Sequence, residues 1–231
     1  MTHDRDLVFA CGQSNAGDYG DLLTAWPVRE RYDPNVAFAN DGYAVGWESL
    51  ADCVKYNGGL GFVRGTLWHS LGARMRDAGM RPSICAQWIG GASSAVLLEN
   101  MPTIAARFAE RYAEQVRPRS IALAWSQGEC EAALGADDWQ SNTEASIAAI
   151  RAELGLPTLR VVVCRLATSY TPGMDLPYLT ETRAAQAALV AADPLATLVD
   201  VGDVTTATSG IHLDQPSLDR QARLIVAAAY P

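Results

Sequence analysis

Five apolar runs alternate along the chain with amphipathic stretches of helical length, and this alternation constrains the fold more than any other feature. The runs lie at 6–11 (DLVFAC), 83–89 (SICAQWI), 120–126 (SIALAWS), 159–165 (LRVVVCR) and 196–201 (ATLVDV), rich in β-branched and aromatic residues. The helical stretches fall at 62–78, 103–116, 138–154, 178–192 and 215–229. Strands that carry no polar face must be covered on both sides. The alternation therefore predicts a parallel sheet between two helical layers, wound by right-handed crossovers. Sites in such sheets lie beyond the carboxyl ends of the strands.

One segment breaks the pattern. Residues 15–59 show no clear period, contain DP, NDG and NGG turn signals, and hold Tyr19, Trp26, Tyr32, Phe38, Tyr43, Trp47 and Tyr56. So many aromatics can stack on a sugar or fill the small core a long excursion needs; the residues favour neither. The 231 residues suit one α/β domain, with no repeat or linker in view, so a single domain over 1–231 is expected.

The net charge is −8, from 26 acids against 18 scattered bases, which argues against nucleic acid or an anionic membrane as partner. The apolar run near the end, Leu224 to Tyr230, is far shorter than the roughly 18–20 residues of a spanning helix. MTHDRDLVFAC carries no secretory pattern, which suggests a cytoplasmic chain or a domain of a larger secreted or virion-associated protein. Cys11, Cys53, Cys85, Cys130 and Cys164 form no C-x-x-C pair and read as reduced packing residues. Neither a P-loop nor recurrent zinc-ligand spacing is present, so no metal or organic cofactor is expected.

Polar turns follow three of the runs at the predicted carboxyl edge: Gly12-Gln13-Ser14-Asn15-Ala16, Gly90-Gly91-Ala92-Ser93-Ser94 and Ser126-Gln127-Gly128-Glu129. Ser14 is the candidate nucleophile. A serine needs a base, and the sequence offers only His3, His69 and His212. His3 lies at the terminus and His69 inside an apolar helix, leaving His212, which follows the fifth run and precedes the last helix.

The ordered set GQSNA, GFVRGTLWHSL, IGGASS, WSQGECEA and IHL resembles the SGNH hydrolase superfamily, and within it the carbohydrate O-acetylesterase branch of sialate O-acetylesterase and acetylxylan esterase-like proteins. The resemblance implies a three-layer α/β/α sandwich with a five-stranded parallel sheet, flavodoxin-like in its winding. It implies a serine esterase that removes O-acetyl groups from a carbohydrate through an acetyl-enzyme. Ser14 would be the nucleophile and His212 the general base. The N–H groups of Ser14 and Gly91 and the amide of Gln127 would form the oxyanion hole, and Gln13 and Asn15 would contact substrate. The superfamily's usual aspartate two or three residues before the histidine is replaced by Gly210 and Ser209. Glu129 is the first choice for the orienting acid, with Asp203 and Asp214 as substitutes. Two other readings remain: a broader short-chain esterase, lipase or thioesterase, and a non-catalytic glycan-binding or adhesion module.

Overall fold

The computed structural model describes residues 5–16, 37–40, 44–49, 67–114, 118–135, 137–168, 170, 174–206 and 210–231. Within them the chain forms strands β1 (Asp6–Gly12), β2 (Ala37–Asn40), β3 (Ala44–Ser49), β4 (Pro82–Trp88), β5 (Ser120–Ser126), β6 (Arg160–Arg165) and β7 (Ala196–Asp200). The helices are α1 (Leu67–Asp77), α2 (Ser94–Ala113), α3 (Glu129–Leu134), α4 (Trp139–Leu154), α5 (Leu179–Ala192) and α6 (Gln215–Ala229). The sheet order is β3-β2-β4-β1-β5-β6-β7.

All five expected strands are present, and they run parallel. The sheet is nonetheless wider than expected. From the aperiodic 15–59 segment, β2 adds parallel to β4 and β3 pairs antiparallel to β2 at the edge. The other aromatics of that segment lie outside the described residues, as do His3 and Cys53.

Alternate residues of each strand feed opposite layers, as the two-residue period of a strand requires. Val8, Ala10, Ile84, Ala86, Ala122 and Ala124 face α1 and α6, where the small alanines let Trp68, Leu71 and Ile225 pack close to the sheet. Leu7, Phe9, Leu123, Trp125, Val161 and Val163 face α2, α4 and α5, with Phe9 and Phe108 rings 4.6 Å apart. At 25 cal/mol per Å2, burying each large side chain contributes about 2 kcal/mol, so the central strands are held firmly from both faces.

Helix α2 begins nine residues earlier than expected. Pro102, which lacks an N–H, lies inside the helix. The Ser93 hydroxyl caps the true start by accepting from Val96 N at 3.3 Å. Burial of Leu97, Met101, Ile104, Ala105 and Phe108 outweighs the one backbone bond lost to proline. Cys11, Cys85 and Cys164 are free, buried thiols, consistent with packing roles.

Candidate active site

Strands β1, β4 and β5 end level with one another: Gly12 registers with Trp88 on one side and Ser126 on the other. Two bonds past the strand ends hold the turns together, Gln13 N to Ser126 O at 2.9 Å and Ile89 N to Gly12 O at 3.1 Å. Glycine is required at position 12. Its φ is +148°, and a Cβ there would lie 1.8 Å from the Ser126 carbonyl oxygen. The chain then makes a single 3-10 turn, Ser14–Ala16, pinned by the Trp68 indole N–H donating to Ala16 O at 2.9 Å. Ser14 sits in this turn, 7% exposed. Gly91, in the turn after β4, has φ +69°, is exposed, and has open space where a Cβ would project.

Asn15 brings the far end of the chain to this turn. Its Nδ2 donates to Ile211 O at 3.3 Å and its Oδ1 accepts from Leu213 N at 2.9 Å, so its side chain grips the backbone on both sides of half-buried His212. The same Nδ2 donates to Glu129 Oε1 at 2.6 Å. Glu129 is 3% exposed, and its Oε2 is buried with no hydrogen-bond partner among the described residues. Burial pushes this carboxyl up from its ordinary value; the Asn15 bond opposes the rise and the Glu131 charge adds to it.

Both residues expected to contact substrate are used inside the protein instead. Asn15 is 4% exposed with its amide committed as above, and Gln13 is 3% exposed. The Gln13 Oε1 accepts from Gly128 N at 3.2 Å and from Cys130 N and Gln127 Nε2 at 3.4 Å each. Buried amides must find partners, and the nearest are the backbone groups of the neighbouring turn.

Gln127 departs from its expected role for the same reason. Its Nε2 donates to Glu131 Oε2 at 2.6 Å and approaches Ala92 O at 3.3 Å, while its Oε1 accepts from the Trp139 indole. With acceptors for both protons inside the protein, Gln127 braces the Gly91–Ala92 turn and presents no donor of its own. Glu131 in turn accepts from Ser94 N at the start of α2. Sequence reasoning passed over Glu131 and Trp139; the four-residue spacing from Gln127 to Glu131, one helical turn, was the available signal.

The substitute acids are placed elsewhere. Asp214 caps α6 by accepting from Ser217 N at 2.9 Å and also accepts from the Thr205 hydroxyl. Asp203 accepts from the Thr168 hydroxyl. Glu129 is joined through Asn15 to the segment carrying His212. Tyr170, in the loop after β6, lies near enough for the Glu129 charge to add to the upward push that burial gives its phenol. Nothing in the sequence marked it. His69 is buried in α1, as its apolar surroundings implied. A cavity of about 270 Å3 opens beside the network, its walls including Ser93, Ser94, Cys130, Glu131, Trp139 and Asn142. Among the described residues no group of three His, Cys, Asp or Glu side chains is placed to hold a metal ion, and no helix is long and apolar enough to cross a membrane.

Comparison with known structures recovers the same architecture. An Arabidopsis thaliana protein solved by X-ray diffraction superposes with a TM-score of 0.77 at 16% identity, covering 98% of each chain. A carbohydrate acetylesterase from Xanthomonas citri gives 0.57 at 18% identity, over 97% of this chain and 56% of that one. A carbohydrate acetylesterase from Sinorhizobium meliloti gives 0.58 at 11% identity, over 96% and 97%. At these identities the likeness establishes the fold. No curated protein sequence matches. The family model described as "carbohydrate esterase, sialic acid-specific acetylesterase" matches residues 5–230, nearly the whole chain. The chain belongs to that carbohydrate esterase family and is a carboxylic ester hydrolase.

Proposed function

We propose that this protein is a serine esterase that removes O-acetyl groups from a carbohydrate through an acetyl-enzyme. Ser14 is the nucleophile, His212 the general base and Glu129 the acid behind it. The observation that carries the reading is the Asn15 side chain. It belongs to the residue next to Ser14 and bonds the backbone on either side of His212, which supports pairing the loop that carries the base with the turn that carries the alcohol.

His212 takes the hydroxyl proton as Ser14 Oγ attacks the acetyl carbonyl carbon. The resulting oxyanion is met by the backbone N–H groups of Ser14 and Gly91, in the open space beside Gly91. Gln127 serves this hole indirectly, by holding Ala92. Collapse of the tetrahedral intermediate breaks the bond to the sugar oxygen, which leaves with the proton from His212. Water, deprotonated by the same imidazole, then attacks the acetyl-enzyme, and acetate departs as Ser14 regains its proton. The Glu129 negative charge stabilises the imidazolium formed in each half-reaction.

Acetate release from a panel of acetylated glycans, sialic acid and xylan derivatives included, run beside longer acyl esters, tests both reaction and substrate. Ser14→Ala should lower turnover by about a millionfold while the protein melts as before. Equal release by wild type and Ser14→Ala overturns the mechanism. Equal turnover of acetyl and longer acyl esters overturns the acetyl preference and favours a broader esterase.

A further inference from the structure

We propose that Asn15 is a positioning residue that fixes the backbone of His212, and that its amide is held in the working orientation by Glu129. This deepens the esterase reading and rests on it.

The geometry is specific. Asn15 Nδ2 bonded to Ile211 O and Asn15 Oδ1 bonded to Leu213 N close a ring through N, Cα and C of His212. Those backbone atoms are the ones about which φ and ψ of His212 turn. Rotation about either breaks one of the two bonds, so the clasp leaves the imidazole only its side-chain torsions. The clasp works in one amide orientation only. Flipping Asn15 would set its oxygen against Ile211 O and its NH2 against Leu213 N–H. Glu129 decides between the two: its Oε1 lies 2.6 Å from Nδ2 and accepts a proton there, whereas a flipped amide would put oxygen against a carboxylate. The two protons of Nδ2 thus have two acceptors and Oδ1 has a donor, all inside a residue only 4% exposed.

Glu129 therefore needs no direct contact with the imidazole to matter. Its position is set from its own side by the turn: Gly128 N and Cys130 N, on either side of it, both donate to Gln13 Oε1. The Ser14 turn, the Glu129 turn and the His212 loop are cross-linked by the side chains flanking Ser14, Gln13 and Asn15, both buried.

The test is kinetic, on acetyl ester substrate, with melting followed in parallel. Asn15→Ala should lower kcat by about 10- to 100-fold with KM nearly unchanged, because a displaced base slows the chemical step and leaves binding alone. In a His212→Ala background the same substitution should cost less than about twofold, since the residue acts through the histidine. Asn15→Asp should be worse than Asn15→Ala, as it sets one carboxylate against another. Asn15→Asp combined with Glu129→Gln relieves that repulsion but still leaves Ile211 O without a donor, so it should recover part of the loss of Asn15→Asp and stay well below wild type.

A raised KM with unchanged kcat in Asn15→Ala would make Asn15 a substrate contact and overturn the proposal. So would a full further loss in the His212→Ala background, or wild-type turnover in the exchanged pair. If the variants do not fold, hydrogen exchange of the Leu213 amide in wild-type protein decides: protection supports the clasp, and exchange at the free rate overturns it. If Ser14→Ala proves as active as wild type, the esterase reading has failed, and Leu213 protection still reports on the clasp by itself.

Discussion

The two ends of β1 each bury a carboxylate, and they treat it in opposite ways. At the amino end Asp6, 1% exposed, accepts from Arg119 Nε at 2.9 Å, Ser120 Oγ at 2.6 Å and Arg81 N at 2.9 Å. Burial alone would raise its pKa, but these bonds and the Arg119 charge outweigh it and hold the carboxyl below its ordinary value. At the carboxyl end Glu129 has Asn15, an oxygen unpartnered among the described residues and a like-charged neighbour, and its pKa rises. Two carboxyls shut off from solvent thus shift in opposite directions. Glu129 is the more deeply enclosed and has fewer donors around it: the amino end is satisfied as a foundation is, while the carboxyl end leaves a carboxyl under-solvated.

The largest expected effect comes from breaking the foundation. Asp6→Ala removes four hydrogen bonds that join the starts of β1, β4 and β5, and should lower stability by about 2–3 kcal/mol with the catalytic steps intact; Arg119 is half exposed and its share is screened. Denaturant melts beside acetate-release kinetics check this. A parallel fall in kcat of the folded variant would mean that the two ends are coupled.

Next comes Glu129→Gln, which should lower kcat by about tenfold, or about 1.4 kcal/mol in barrier, through loss of the charge opposite the imidazolium. Its stability should move the other way, and the pH dependence sharpens the contrast. The folded pKa of Glu129 lies above its unfolded value of 4.5, so the folded state holds the proton more tightly and wild type loses stability as pH rises from 4.5 through the raised value. Glu129→Gln removes that slope. For Asp6 the sign is reversed: its contribution is present above 3.8 and is lost as pH falls through the lowered folded value. Urea midpoints measured from pH 3 to pH 8 read both slopes, and an unchanged alkaline limb in Glu129→Gln would contradict the account.

The smallest effect belongs to Asp214→Asn. Asparagine also caps helices, so the cost should be under about 0.5 kcal/mol, and turnover should fall less than in Glu129→Gln. A larger catalytic loss at Asp214 than at Glu129 would transfer the acid's role to the α6 cap.

The five parallel strands were legible because runs such as LVFAC and VVVC are apolar at every position, and only burial on both faces accommodates that. Strands β2 and β3 were not. AFAN and AVGWES are short, interrupted by Asn or Gly, and become strands by pairing with β4 and with each other. The set of polar turns was legible too, since each follows a readable strand. The partners of each amide were not, because Gln13, Asn15 and Gln127 could equally face substrate or protein. A side chain buried by the neighbouring turn must satisfy itself there, and that burial depends on strand register.

From residues alone came the layered sheet, its carboxyl edge, the family, and the serine and histidine worth testing, because apolar pattern and turn chemistry are local properties. Packing across the sheet decided which polar side chains meet, Asn15 with Glu129 and the backbone around His212, and Gln127 with Glu131. Glu129 and Asn15 are 114 positions apart, and Asn15 and Leu213 198; only the meeting of three strand ends with the last loop puts each donor within reach of its acceptor.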